Sequence, residues 1–112
     1  MPRSKPLPAA SLHVVLALLD GELHGYALMR RVEELSGGAV RMGPGTLYGT
    51  LNRLVEGGLI EETTDRSPRT DNERRRYYDL TPAGRAVALD ELRRLQTLVH
   101  RTAGHLPGAA PA

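Results

Sequence analysis

Asn52 and Arg53 stand side by side in the stretch "GPGTLYGTLNRLVEGGLIE", residues 43–61. A carboxamide matches the major-groove edge of adenine, and a guanidinium matches that of guanine. Leu47, Leu51, Leu54 and Val55 recur at helical spacing and cover one side of the same segment. The opposite arc then holds Gly45, Gly49, Asn52, Arg53 and Glu56, flanked by Thr46 on one side and Tyr48 on the other. Glycine in a helix interior costs about 1 kcal/mol relative to alanine. Two of them on an exposed face make sense where the helix axis must come close to a partner, as inside a major groove. The hydroxyls of Thr46 and Tyr48 can bond phosphates beside that groove. An ordinary solvated face with tolerated glycines has the same composition, so other residues must decide.

The arginines add weight. Residues 64–76 contain Arg66, Arg69, Arg74, Arg75 and Arg76 against Asp65, Asp71 and Glu73. Three consecutive arginines at the base of a hairpin can follow a phosphate backbone, although a charge run in isolation is more often a solvated loop. The average charge decides nothing, since 15 basic residues against 13 acidic ones leave +2. All the basic residues except Lys5 are arginine, whose planar fork suits bidentate contact with phosphate and guanine. Tyr26, Tyr48, Tyr77 and Tyr78 are the only aromatics. A binder of RNA or single strands needs exposed stacking platforms, so double-stranded DNA is the better match.

Other chemistries find little support. The chain has no Cys, which excludes disulfides and thiolate metal sites. His100 and His105 are five residues apart, off a single helical face, and His13 and His24 fall near helix starts. Ser11, Ser36 and Ser67 lie in caps or loops without a nucleophile elbow, and "GPGTLYG" lacks the Lys-Ser/Thr ending of a phosphate-binding loop. No catalytic residue, metal ligand or cofactor is expected, and the chain does not read as an enzyme. The apolar run Val14 to Leu19 ends in Asp20-Gly21-Glu22 without a small-residue cleavage site. It is also far short of the ~20 residues a membrane span needs. A soluble, cytoplasmic protein with no membrane partner is expected.

The elements that position these residues follow from periodicity and punctuation. A proline-rich, flexible arm is expected over residues 1–10, then a first helix capped by Ser11 and running to about Leu19. That helix is apolar on nearly every side and needs cover from more than one direction. A second helix runs from about His24 to Leu35 with Leu28, Val32 and Leu35 inward, and Ser36-Gly37-Gly38 ends it. Residues 39–42 are too short for more than an isolated bridge. Pro44 opens the third helix and Gly57-Gly58 closes it. "LIEETT" reads as a strand, residues 65–73 as a hairpin tip, and "RRRYYDL" as the returning strand. Its alternation puts Tyr78 and Leu80 on one face, with Tyr77 and Asp79 on the other. Thr81 caps a last helix with Pro82 in its first turn. That helix runs to about Ala103, followed by a disordered tail over 104–112.

The fold class is therefore mainly α with a small β-hairpin. It divides into a winged helix-turn-helix over 11–81 and a long C-terminal helix over 82–103. Its rival is a plain helical bundle with a stray hairpin. Ala88, Leu92, Leu95 and Val99 follow 4-3-4 spacing, broadened by Leu89 and Leu98, and exceed what a small core can cover. A second copy is expected against Leu89, Leu92, Leu95 and Val99, together with Leu12 and Leu16 of the first helix.

Three blocks carry a family resemblance: "HGYALMRRVEE" (24–34), "GPGTLYGTLNRLVEGGLIE" (43–61) and "RRRYYDLTPAGR" (75–85). In this order they resemble the PadR-like transcriptional regulators, and the length is similar to the branch with a single C-terminal dimerisation helix. The resemblance implies a winged-helix homodimer that binds a palindromic operator and usually represses transcription. Some members release DNA when a small molecule binds at or near the dimer interface, which makes an unidentified effector a candidate partner. It also implies a recognition helix over 44–57, with Thr46, Tyr48 and Arg53 as contacts. The implied wing spans 61–79, and the His24-Gly25-Tyr26 turn lies close to the DNA backbone. Two positions depart from the common pattern, Gly43 where Ser is frequent and Gly49 where Pro is. The alternative function is a winged-helix protein-interaction module without DNA binding.

Overall fold

The computed structural model describes residues 5–64 and 76–108. They form α1 (Ala9–Ala17), β1 (Leu23–His24), α2 (Gly25–Leu35), α3 (Pro44–Glu56), β2 (Ile60–Thr64), β3 (Arg76–Leu80) and α4 (Pro82–Thr102). Single 3-10 turns, Leu18–Asp20 and Ala103–His105, follow α1 and α4. This is a winged helix-turn-helix with a long helix appended, the class that the order of elements predicts.

The apolar α1 lies at the centre, in contact with α2, α3 and α4. Val14, Val15, Ala17 and Leu18 are buried. The helix starts earlier than expected. Its N-cap is Pro8, whose carbonyl accepts the Leu12 amide at 2.9 Å, and Ser11 is buried inside the helix rather than capping it. Just before the helix, the Leu7 amide donates to Glu91 Oε1 of α4 at 3.3 Å, a contact remote in sequence. The arm expected over 1–10 thus overlaps this tether and the start of α1, and residues 1–4 lie outside the described residues.

In α2, His24 is the N-cap, its Nδ1 accepting the Ala27 amide at 3.3 Å. Leu28 and Val32 are buried, but Leu35 is exposed, so the inner stripe ends a turn before the helix does. Gly37 and Gly38 adopt φ of 61° and 85°, the left-handed conformations that glycine reaches without strain.

The sheet has three antiparallel strands in the order β1-β3-β2. Residues 39–42 form no bridge, and the third strand is Leu23-His24, paired with Tyr78 and Tyr77. Two residues carry no readable period, and they are a strand only because β3 lies beside them. In β2 and β3 the register sets Ile60 against Leu80 and Glu62 against Tyr78. Tyr78 and Leu80 face the core, as the alternation predicts. The hairpin tip, with Arg66, Arg69, Arg74 and Arg75, lies outside the described residues.

Thr81 begins α4 as expected. Its hydroxyl donates to the Gly58 carbonyl at 2.6 Å and accepts the Gly84 amide at 3.0 Å. Gly84 is pressed against the Leu59 carbonyl so closely that a side chain has no room. Further along, Ala88 and Glu91 complete the buried side of the helix. Gly84→Ala is expected to destabilise the fold by about 1–3 kcal/mol, the usual penalty for forcing carbon into a filled site. Urea denaturation measures it, and an unchanged midpoint would mean that α4 does not dock through this contact.

Candidate nucleic-acid interface

Gly43 is the extended N-cap of α3 and offers no side-chain cap, and Pro44 occupies its first turn. The buried face consists of Leu47, Thr50, Leu51 and Leu54. Val55, expected in the core, is 37% exposed and sits at the rim, and Thr50 takes the inward place. At 100° per residue, position 50 falls between 46 and 54, while 55 drifts towards the side of Tyr48.

On the outer face Gly45, Thr46, Asn52, Arg53 and Glu56 are exposed, with Gly49 half-buried. A Cβ at Gly45 would meet nothing within 4 Å, and one at Gly49 only Arg53 Nη1, at 3.8 Å. No packing within the described residues requires either glycine. Gly25 is different, because a Cβ there would come within 2.6 Å of the Tyr48 hydroxyl. Tyr48 therefore closes the junction between α3 and the start of α2 while its ring stays partly exposed. Tyr26, one residue into α2, is 64% exposed.

Arg53 does not extend freely. Its Nη2 donates to Thr50 Oγ1 at 3.3 Å, and that hydroxyl donates to the Thr46 carbonyl at 2.8 Å. Thr50 was not among the residues expected to matter. The signal available in the sequence was its spacing, one turn after Thr46 and three residues before Arg53.

The base of the wing adds one described cation, Arg76, whose Nε lies 3.4 Å from Glu62 Oε1 in an exposed ion pair. Arg74 and Arg75 lie outside the described residues. Beside this pair, burial pushes the Tyr78 hydroxyl above its ordinary range and the Glu62 carboxylate adds to the rise. The charge and hydrogen bond of Arg76 oppose it, and Tyr48 adds a further small rise.

On α4, Leu89, Leu92, Leu98 and Val99 are exposed, the last two at 58% and 56%. Leu95 is half-buried, as are Leu12 and Leu16 of α1. Leu89, Leu92, Leu95, Val99 and Ala103 line one open groove along α4, together with Arg93, Gln96 and His100. Among the described residues no three His, Asp or Glu side chains cluster at metal-binding distance. No described helix is long and apolar enough to cross a membrane.

Comparison with known proteins agrees with this architecture. The family model described as "Transcriptional regulator PadR-like family" matches residues 15–91. A Mycobacterium tuberculosis protein, "Transcriptional regulator Rv3488", is 38% identical over 96 residues, covering 86% of this chain and 84% of that one. A Streptomyces fradiae protein, "Uncharacterized 37.1 kDa protein in transposon TN4556", is 44% identical over 78 residues, or 70% of this chain. The match spans only 20% of that protein. The crystal structure of Bacillus subtilis PadR in complex with operator DNA has a TM-score of 0.67 at 19% identity, over 88% of this chain and 61% of that one. At that identity the likeness is one of fold.

The raised Tyr78 hydroxyl predicts how stability responds to alkali. A proton held more tightly in the folded state stabilises fully below the unfolded value of about 10, and the contribution is lost as pH rises through the folded value. Urea midpoints measured from pH 8 to 11 should therefore fall more steeply for the wild type than for Tyr78→Phe. Parallel curves would show that Tyr78 ionises as freely folded as unfolded.

Proposed function

The chain belongs to the PadR-like family of transcriptional regulators, and from that membership we propose that it is a homodimeric repressor of duplex DNA with a palindromic operator. It is a regulator rather than an enzyme. The observation that carries the reading is the bare outer face of α3, where Gly45 and Gly49 are open to a partner and meet no packing that requires them. Thr46, Asn52 and Arg53 are exposed on that face. In the proposed complex α3 enters the major groove, with Asn52 and Arg53 towards base edges. Thr46, Tyr48, Tyr26 and the wing arginines Arg74, Arg75 and Arg76 meet phosphates. Arg76 exchanges its exposed partner Glu62 for phosphate, at little cost because such surface pairs contribute only about 0–1 kcal/mol.

Exposed Leu89, Leu92 and Val99, with half-buried Leu95 between them, support the dimer. Pairing these surfaces, with Leu12 and Leu16 alongside, presents two α3 helices about 34–36 Å apart, one turn of B-DNA. Repression follows from occupying a promoter. A small molecule seated along the Leu89–Val99 region would alter the half-site spacing and release the operator.

Selection of bound duplexes from a random pool should return a two-fold symmetric consensus. On that duplex Arg53→Ala is expected to cost about 1–3 kcal/mol and relax one base preference. Gly49→Ala should raise fold stability by up to about 1 kcal/mol, the helix-propensity gain, while weakening DNA binding. Improved stability with undiminished affinity would remove the reason for a glycine there. Binding only to proteins, with an affinity indifferent to salt and to Arg53→Ala, would favour the interaction module.

The dimer has its own test. Leu92→Glu with Val99→Glu should convert the protein to monomers in sedimentation and abolish the preference for paired half-sites. An unchanged sedimentation profile would assign these residues no part in assembly.

A further inference from the structure

We propose that Thr50 is a positioning residue that aims Arg53, and so narrows which base pair the helix reads. The inference rests on the DNA-binding reading of α3. Thr50 is fully buried, with its side chain among the core residues of α3. Its β-branch restricts rotation about χ1. Its single proton is committed to the Thr46 carbonyl at 2.8 Å. The oxygen can then offer only lone pairs to a second neighbour, and the neighbour present is Arg53 Nη2 at 3.3 Å. A hydroxyl has one donor and two acceptor sites, so this arrangement assigns its roles without ambiguity.

The guanidinium is thereby held back along the helix. Its Nη1 lies 3.8 Å from the place a Cβ would take on Gly49, one turn earlier. One donor of the fork is occupied, and the rest remain for a partner. A free arginine on a helix face can swing between neighbouring guanines and the phosphates on either side. A tethered one addresses a single step of the groove. Arginine's planar fork loses less freedom per hydrogen bond than a flexible amine would, and a tether already made within the protein lowers that loss further. The expected signature is a change in discrimination larger than the change in overall affinity.

The test compares Thr50→Val, which keeps the branched shape and loses the oxygen, with Thr50→Ser, which keeps the oxygen. The first readout needs no DNA: nitrogen relaxation of the Arg53 Nε–H group in the full chain. Thr50→Val should increase its mobility, and Thr50→Ser should restore order close to wild type. The second readout is relative affinity for the selected operator and its single-base variants. Thr50→Val should reduce discrimination at the pair that Arg53→Ala identifies, by about five- to tenfold, within the range a bidentate contact supplies. Affinity for unrelated duplex should stay within twofold, and Thr50→Ser should retain the preference. Equal Arg53 mobility in wild type and Thr50→Val overturns the proposal, as does undiminished discrimination by Thr50→Val. A wild type that binds no duplex counts against the DNA-binding reading instead, and the relaxation measurement still decides whether Thr50 holds Arg53.

Discussion

Enclosing the inner side of the apolar α1 is the constraint that the other elements answer to. Val14, Val15 and Ala17 of α1, with Leu18 of the turn after it, are at most 1% exposed, and burying each valine or leucine stabilises the fold by roughly 1.5–3 kcal/mol. A helix with no polar face cannot sit at a surface. It has to be enclosed, and α2, α3 and α4 each supply one wall. Every wall helix thus has one face committed to α1 and the opposite face available for something else. The function follows from what the sequence places on those opposite faces.

For α3 the two faces have opposite requirements. Leu47, Thr50, Leu51 and Leu54 are packed at 4% exposure or less, which fixes the helix in place. The outer face carries two glycines that weaken the helix without improving any contact inside the described residues. The packed face can offset that loss, and an isolated helix of this composition could not. Glycine also appears where closeness within the chain demands it, at Gly25 beneath Tyr48 and at Gly84 against Leu59. The same residue type serves two purposes, and only the surroundings of each one separate them.

That distinction marks the limit of what could be read beforehand. The three longer helices and the β2–β3 hairpin were legible because period and punctuation agreed, from Pro44 to Gly57-Gly58 and from Thr81 onward. The faces of β3 followed from alternation alone. By contrast β1 has two residues and exists through Tyr77 and Tyr78, more than fifty positions later. The tether of Leu7 to Glu91, just before α1, joins residues 84 positions apart and has no local signal either. At the candidate site the types of Asn52 and Arg53 singled them out, and the structure places both exposed on the outer face of α3. The tether from Thr50 was not legible, because a threonine in a helix is ordinarily a weak helix former and nothing more.

The arrangement of charge explains why a chain of nearly balanced composition can still favour a polyanion. Arg31 pairs with Asp20 and Glu34, Arg41 with Glu33, Arg76 with Glu62, and Arg94 with Asp90 and Glu91. Most of these pairs are exposed and add little stability. Their consequence is local cancellation of charge over the flanks of the molecule. Among the described residues Arg30, Arg53, Arg85, Arg93 and Arg101 form no ion pair, and of these Arg53 is the one on the outer face of α3, where its hydrogen bond is to a neutral hydroxyl. Its charge stands at the outer face of α3 beside the bare glycines, with Glu56 on the same face but not paired to it. Attraction to phosphate decays within about 10 Å at moderate salt, so charge near the contact counts and distant cancelled pairs do not. The sum of 15 cations and 13 anions averages over a surface that a duplex would meet in one place only.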